Sequence, residues 1–266
     1  GVALGRITDA EWQAVLDAFH TYGVLVFPGQ LLSGDEQIAL SRRLGKLEPV
    51  GRTVPNGSPD IVRISNLDAD GNVISDPDAD AMRLVIGNMA WHADSSFRVP
   101  PAKASMLSCE VAATAGGETE FADMRAAYDA LDDDTRTLLA GRLVTHSYLY
   151  SQGAVGGLDS VKFTPEQRAG MGPTERPVIH VHEVTGRPSL CIGRHAYRLS
   201  GMADDAAQAL LDELLDAACQ PPRVLRHQWQ AGDLVWWDNR CVLHRAQPWD
   251  YTEPRVMWHT RIAGDA

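Results

Sequence analysis

From residue 85 onward the sequence is a series of short β-type segments separated by turn residues, and this pattern limits the possible folds more than any other feature. Two helical segments interrupt the series, and no internal repeat or linker divides the chain. Many short strands with few helices favour a β-sandwich or barrel core with added helices. The predicted strands span residues 104–111, 117–122, 144–150, 177–184, 189–193, 233–238 and 255–262, and the predicted helices span residues 124–140 and 204–218.

The first part of the chain carries two helix-start signals and two stretches typical of loops. In each signal a hydroxyl residue precedes a glutamate by three positions, which is the spacing of a capping box. The two pairs are Thr8 with Glu11 and Ser33 with Glu36, and the second helix is predicted to run to Gly45. We expect one domain over residues 1–266, with loop or lid segments at 51–86 and 153–172, where Gly, Pro, Asn and Asp are frequent.

Composition excludes some classes of partner. The 266 residues carry a formal net charge of −11, which argues against a protein that coats nucleic acid or an anionic membrane. No apolar run approaches the roughly 18–20 residues that a membrane span requires. The four cysteines lie far apart without a CxxC motif, which is typical of reduced thiols. We therefore expect a cytoplasmic location.

His92 and Asp94 form the first candidate for a metal site. Residues two apart on a strand point to the same face, so an imidazole and a carboxylate would lie side by side. Such a pair is two-thirds of the facial triad that binds non-haem Fe(II). His244 is a candidate third ligand, because a β-barrel can close the distance along the chain. A surface polar pair and a hydrogen-bonded core histidine are the alternatives.

A second pattern lies near the end of the chain. Strand alternation places Arg255, Met257, His259 and Arg261 on one face of the predicted strand 255–262. Two arginines and a histidine that face one way suit an anion such as a carboxylate. The alternative is an outward face in contact with solvent.

These motifs together resemble the Fe(II)/2-oxoglutarate dioxygenases of the taurine dioxygenase and 2,4-dichlorophenoxyacetate dioxygenase family. The resemblance covers nearly the whole chain, and it is strongest for the aryloxyalkanoate branch, whose members cleave phenoxyacetate and phenoxypropionate ethers. It rests on Trp91-His92-Ala93-Asp94-Ser95-Ser96-Phe97, Gly116-Gly117-Glu118-Thr119-Glu120-Phe121, Trp237-Asp238-Asn239-Arg240 with His244, Arg255, the segment from Phe121 to Leu131, and Gly193-Arg194-His195-Ala196.

The resemblance implies a fold and a set of site residues. The fold would be mainly β with flanking helices, around a double-stranded β-helix, or jelly-roll, core. The implied iron ligands are His92, Asp94 and His244, and the implied contacts to the distal carboxylate of 2-oxoglutarate are Thr119 and Arg255. Asn88 matches a position that contacts substrate in the taurine enzymes. Those enzymes bind sulfonate with an arginine where this chain has His259, so His259 and Arg261 are both candidates for the acid group of the substrate.

The resemblance also implies a reaction. Fe(II), 2-oxoglutarate and O2 would hydroxylate a small anionic organic substrate, with release of succinate and CO2. For an aryloxyalkanoate the product would collapse to a phenol and a 2-oxo acid. We expect no nucleic acid or membrane partner, and we leave a homo-oligomer open.

Three alternatives stay open at this point. The same chemistry could act on a sulfonate, an alkyl sulfate or another small carboxylate. A non-catalytic β-helix binding module that has lost iron is the second alternative. The third is a zinc hydrolase that uses His180 and His182, two histidines at strand spacing.

Overall fold

The computed structural model describes residues 1–49, 58–154 and 171–265. Residues 51–57 and 155–170 of the two predicted lid segments lie outside this range. The helices are α1 (Asp9–Tyr22), α2 (Gly34–Arg42), α3 (Asp80–Gly87), α4 (Met124–Asp129), α5 (Asp133–Leu139), α6 (Tyr148–Ala154) and α7 (Asp204–Ala218), after a short 3-10 helix at Leu4–Arg6. The strands are β1 (Val24–Phe27), β2 (Val62–Ser65), β3 (Ala102–Val111), β4 (Thr119–Asp123), β5 (Leu143–His146), β6 (Thr174–Pro177), β7 (Ile179–Val181), β8 (Pro188–Leu190), β9 (Ala196–Leu199), β10 (Val224–His227), β11 (Leu234–Asp238), β12 (Val242–Ala246) and β13 (Val256–Ala263).

Two antiparallel sheets form the centre of the molecule. Five strands pair in the order β1-β11-β3-β13-β2, and three pair in the order β10-β4-β12. Apolar side chains from both sheets, among them Met257 and Phe121, form one buried cluster between them. This arrangement and the flanking helices agree with the predicted jelly-roll core.

Strand β11 of the five-stranded sheet is buried on both faces. Alternate side chains of a strand point to opposite sides of the sheet, and every residue of β11 is buried. Trp236 stacks on Trp12 and Phe19 of α1, with ring centroids 5.5 and 4.3 Å apart. Trp237 points the other way, and its ring lies 4.6 Å from that of His244. Helices α1 and α2 therefore cover the outer face, and the inner face is left for the site.

Both predicted capping boxes are present. Thr8 and Ser33 each accept a hydrogen bond from the backbone N–H three residues later, and Glu11 and Glu36 return it. Helix α2 ends at Arg42, three residues before the predicted end. The segment 204–218 forms one helix with the predicted bounds.

Four predicted segments differ from the structure. Residues 148–150 were expected in a strand but begin α6, where the hydroxyl of Ser147 accepts a hydrogen bond from the backbone N–H of Tyr150 at 3.2 Å. The helix predicted over 124–140 is two helices, because Asp132 caps a second helix that starts at Asp133, where its side chain accepts a hydrogen bond from the backbone N–H of Thr135. Residues 80–86 of the predicted loop belong to α3, and strand 177–184 ends at Val181, before a turn.

No helix in the part of the chain that the structure describes is long and apolar enough to cross a membrane. All four cysteines carry free thiols.

Candidate active site

Backbone pairing brings two distant histidines together. His92 and His244 form an isolated antiparallel bridge between the chain before Asp94 and strand β12. The N–H of His92 donates to the carbonyl of His244 at 3.0 Å, and the reverse bond measures 2.8 Å. Directly opposed residues of an antiparallel pair place their side chains close together, and here the ring centroids are 4.2 Å apart. The main chain therefore sets the spacing of the two imidazoles.

Asp94 completes a buried cluster with these histidines. Nε2 of His92 lies 4.0 Å from Oδ1 of Asp94, and Nε2 of His244 lies 3.8 Å from Oδ2. One ligand atom from each of the three residues lies within 4.8 Å of the other two. A divalent metal ion with bonds of about 2.0–2.2 Å can bridge atoms separated by about 4 Å. Two imidazoles and one carboxylate are the donor set of the facial triad, so these residues fit a non-haem iron ion.

Hydrogen bonds and burial set the protonation of the cluster. Nδ1 of His92 lies 2.8 Å from the carbonyl of Ala90, which assigns the ring proton to Nδ1 and leaves the Nε2 lone pair facing Asp94. Burial lowers the pKa of His92 and brings that of His244 well below its ordinary value. Burial alone would raise the pKa of Asp94, but the surrounding histidines bring it well below 3.8. A carboxylate beside neutral imidazoles is the ionisation state that binds a metal ion.

Arg255 is a buried cation without a carboxylate partner among the described residues. Only 4% of its surface is exposed, and its guanidinium lies over the ring of Trp249 at 5.2 Å. Its Nη2 donates to the carbonyl of Gly117 at 3.0 Å. Burial lowers the pKa of Arg255 from 12.5 to about 10, because the guanidinium loses hydration and no carboxylate among the described residues offsets that loss. An anionic ligand would supply the missing charge.

Thr119 is buried at the start of β4, two residues after the carbonyl that Arg255 contacts. Its Oγ1 accepts a hydrogen bond from Nε1 of Trp229 at 2.9 Å. Because the indole N–H is the donor there, the hydroxyl hydrogen of Thr119 remains free to donate to a ligand. No sequence motif pointed to Trp229. It follows β10, and the pairing of β10 with β4 brings it to Thr119.

The remaining predicted residues lie around the cluster. Nε2 of His259 is 3.3 Å from Oδ2 of Asp94, and its ring stacks on Trp237. Nε of Arg261 is 3.5 Å from the buried carboxylate of Glu48. Asn88 follows α3, and its carbonyl accepts a hydrogen bond from the backbone N–H of Ala246 at 2.9 Å. Arg261 thus has a carboxylate partner, whereas Nε2 of His259 lies close to Asp94 but makes no hydrogen bond within the described part of the chain. Asn88 lies beside the end of the strand that carries His244.

Arg194 is a second guanidinium near His92, on a partly buried side chain, and its motif did not indicate an unpaired charge. Its backbone N–H donates to the carbonyl of Trp91 at 2.9 Å, and its Nη1 donates to the carbonyl of Gly87. Its Nη2 is buried without a hydrogen-bond partner, and no carboxylate pairs with Arg194 within the described ranges. Burial lowers the pKa of Arg194.

Aromatic rings lie beside the same segment. His195 is 6.3 Å from His92 between ring centroids, 5.0 Å from Phe97 and 6.0 Å from Tyr148. Phe97 and Tyr148 are 5.0 Å apart. This group combines an apolar surface with the cation of Arg194.

The second histidine pair forms a structural network. Nε2 of His182 donates to Oδ2 of Asp238 at 3.0 Å, and its Nδ1 accepts from the backbone N–H of Val184 at 3.1 Å. Arg240 binds both oxygens of Asp238, at 2.8 and 2.7 Å. The side chain of His180 instead lies 3.5 Å from Glu183. Both ring nitrogens of His182 are occupied, so the arrangement gives no support to a zinc site built on His180 and His182.

Comparisons with known proteins identify the family of this chain. A sequence model described as "Taurine catabolism dioxygenase TauD, TfdA family" matches residues 1–261. An (S)-phenoxypropionate/alpha-ketoglutarate-dioxygenase of Delftia acidovorans is 48% identical over 99% of this chain and 90% of its own length. An alpha-ketoglutarate-dependent 2,4-dichlorophenoxyacetate dioxygenase of Burkholderia sp. (strain RASC) is 43% identical, over 98% of this chain and 88% of its own.

A solved structure gives the same result for the fold. The crystal structure of AAD-2 in complex with Mn(II) and N-oxalylglycine has a TM-score of 0.89 and 36% identity, over 100% of this chain and 92% of that one. The chain therefore belongs to the TauD/TfdA family of dioxygenases.

Proposed function

We propose that this protein is an Fe(II)- and 2-oxoglutarate-dependent dioxygenase that cleaves aryloxyalkanoates, with His92, Asp94 and His244 as the iron ligands. The proposal rests on one observation: two imidazoles and a carboxylate meet in a buried cluster, in a fold that also buries the unpaired cation Arg255. Bound there, Fe(II) supplies the activation of O2 that converts 2-oxoglutarate to succinate and CO2 and hydroxylates the substrate.

The protein's own residues position the co-substrate. Arg255 offers two donors in a fixed plane to the distal carboxylate of 2-oxoglutarate. The free hydroxyl hydrogen of Thr119 donates to the same group. Because Gly117 and Trp249 already hold the side chain of Arg255, it loses little conformational freedom when the ligand binds.

Arg194 and the rings of Phe97, Tyr148 and His195 support an aromatic acid as the primary substrate. The unpaired Nη2 of Arg194 would bind the carboxylate, and the rings would pack against the aryl group. Hydroxylation of the carbon next to the ether oxygen gives a hemiacetal or hemiketal, which collapses to a phenol and a 2-oxo acid. The Delftia relative, named for (S)-phenoxypropionate, supports a preference for the S enantiomer. Asn88, His259 and Arg261 remain predicted contributors to this pocket.

A succinate-release assay tests the reaction and the substrate together. We expect Fe(II)-dependent succinate release with (S)-phenoxypropionate, matched by phenol release, and lower rates with the R enantiomer, taurine and alkyl sulfates. If taurine or a sulfate ester is the better substrate, the substrate assignment is wrong. If no compound gives succinate and the protein takes up no metal, a binding module is the better description.

Replacing the ligands tests the triad. His92→Ala, Asp94→Ala and His244→Ala should each abolish substrate-linked succinate release and reduce metal uptake, because two remaining ligands bind a divalent ion weakly. His180→Ala is the matched control, since His180 lies outside the cluster, and it should keep wild-type turnover. Turnover retained by any of the three ligand variants would contradict the assignment.

Replacing each of the two unpaired arginines should raise the KM for a different substrate. We expect Arg255→Ala to raise the KM for 2-oxoglutarate by roughly 100-fold, in line with the loss of a buried charge pair. For Arg194→Ala we expect a similar rise for the aryloxyalkanoate, with the KM for 2-oxoglutarate changed by less than about threefold. Equal effects of either variant on both KM values would argue against the separate roles.

A cytoplasmic location remains a prediction, supported by the free thiols.

A further inference from the structure

Asp94 lies in a turn, outside any strand, so the sheet does not fix its side chain. The next residue, Ser95, has φ of +52°, which is uncommon for a residue other than glycine. Its hydroxyl donates to Glu48 at 2.7 Å. The orientation of the Asp94 carboxylate therefore depends on contacts from elsewhere in the fold.

Ser105 supplies the first of these contacts. It lies on β3, is fully buried, and its Oγ is 2.7 Å from Oδ2 of Asp94. The hydroxyl of Ser105 is the donor in this hydrogen bond, so its hydrogen points at Asp94. The same Oγ accepts a hydrogen bond from Nδ2 of Asn239 at 2.9 Å.

Asn239 contacts Asp94 along two routes. Its Oδ1 accepts from the backbone N–H of Asp94 at 3.1 Å and from Nε1 of Trp237 at 3.0 Å. Two N–H donors on one side fix the amide so that Oδ1 faces them and Nδ2 faces Ser105. One buried side chain thus holds the main chain of Asp94 directly and its carboxylate through Ser105.

We propose that Asn239 and Ser105 are positioning residues that orient the Asp94 carboxylate for metal binding. The hydrogen bonds run in one direction, from Asn239 to Ser105 to Oδ2 of Asp94, and Oδ1 is left toward Nε2 of His92, 4.0 Å away. Partners of this kind hold a ligand in place and typically change metal affinity 10- to 100-fold when they are removed. The proposal rests on the proposed function, because it assumes that Asp94 binds the metal.

Co(II) binding to the metal-free protein, followed by visible absorption without 2-oxoglutarate or substrate, tests this proposal. We expect Ser105→Ala to bind Co(II) about 10- to 100-fold more weakly and to shift the Co(II) absorption band. Ser108→Ala is a matched control: Ser108 lies on the same strand, is also buried, and donates to Gln37 at 2.6 Å on the opposite face. Its Co(II) affinity should stay within about twofold of wild type.

Urea unfolding of the same metal-free proteins separates positioning from stability. Ser105→Ala removes two buried hydrogen bonds and Ser108→Ala removes one, so both variants should lose unfolding free energy, and Ser105→Ala should lose more. Asn239→Ala provides a second variant if Ser105→Ala does not fold, and its Co(II) affinity should fall at least as far. Because the two residues act through one chain of hydrogen bonds, the double variant should bind little more weakly than Asn239→Ala alone.

The possible failures are distinguishable. Wild-type Co(II) affinity and spectrum in Ser105→Ala would overturn the positioning role. Equal weakening in the Ser105 and Ser108 variants would assign the effect to stability and also overturn it. If the wild-type protein bound no Co(II), or if Asp94→Ala bound it normally, the proposed metal site itself would be wrong, and this proposal with it.

Discussion

Gly117 lies against Arg255 in a backbone conformation that favours glycine. Its φ is +68°, and a Cβ at this position would lie 3.0 Å from Nε of Arg255. We expect Gly117→Ala to displace the guanidinium and raise the KM for 2-oxoglutarate about tenfold or more, which corresponds to roughly 1.4 kcal/mol. The KM for the aryloxyalkanoate should change much less. Steady-state kinetics with each substrate varied in turn would measure both effects.

Gly141 gives the control for backbone strain. Its φ of +72° is similar, but a Cβ there would meet nothing within 4 Å. Gly141→Ala should therefore lower stability by about 1–2 kcal/mol and leave both KM values unchanged. If the two alanine variants affected the KM for 2-oxoglutarate alike, contact with Arg255 would not be the cause.

His146 should make stability depend on pH. Burial lowers its pKa from 6.5 to about 4, so the unfolded chain binds a proton below pH 6.5 that the folded protein takes up only near pH 4. Its contribution to stability is therefore complete above pH 6.5 and is lost as the pH falls toward 4. Between pH 7 and pH 5 the loss should be about 2 kcal/mol.

Urea unfolding of the wild type and of His146→Gln at the two pH values would measure this contribution. The variant should lose less unfolding free energy on acidification, because glutamine does not titrate. An equal loss in both proteins would show that His146 is not responsible.

At the scale of residues, the sequence indicates candidates whose proposed roles follow from spacing or from family motifs. His92 and Asp94 are two positions apart, and the family motifs supplied His244, Thr119 and Arg255. The motifs also contain Arg194 and Asn239 but could not indicate what these residues do, because their proposed roles depend on what surrounds them. An unpaired guanidinium and a bridging amide are properties of the folded chain.

At the scale of elements, prediction succeeded where local signals decide the structure. The capping boxes fixed the starts of α1 and α2, and the apolar spacing of residues 204–218 gave α7. The prediction was wrong at residues 148–150, where the hydroxyl of Ser147 caps the start of a helix although the local pattern resembles a strand. A hydroxyl cap is a strong signal of a helix start when a glutamate three residues later accepts a hydrogen bond from the backbone N–H of the capping residue. Without that glutamate the signal is weaker.

Arg125 joins the end of α1 to the rest of the molecule. It is 2% exposed, donates to the carbonyls of His20, Thr21 and Tyr22 at 3.0 to 3.3 Å, and pairs with Asp123. The last carbonyls of a helix have no partner within it, so removing this side chain leaves them unsatisfied. We expect Arg125→Met to lower the free energy of unfolding by about 2–4 kcal/mol.

Arg198→Met is the comparison for Arg125→Met. Arg198 pairs with Asp204 at 3.0 Å, but more than half of its side chain is exposed. Its loss should change stability by less than about 1 kcal/mol. Similar values for both variants, measured by urea unfolding, would show that the contacts of Arg125 with α1 add nothing.

At the scale of the whole molecule, the candidate ligands join separate parts of the fold. His92 lies before β3 and His244 lies on β12, so a bound ion would link chain segments about 150 residues apart. At 100 times its dissociation constant, Mn(II) should stabilise the protein by about 2.7 kcal/mol, or roughly 5–10 °C in thermal unfolding. Asp94→Ala should show no such shift, and an equal shift in both proteins would place the ion elsewhere.

The backbone bridge between His92 and His244 also fixes when the site can come into being during synthesis. The ribosome makes His92 about 150 residues before His244 on its partner strand β12. A nascent chain that ends before β12 has one imidazole and one carboxylate and no second histidine opposite them. A metal ion held by these three residues would therefore bind only after β12 has been translated.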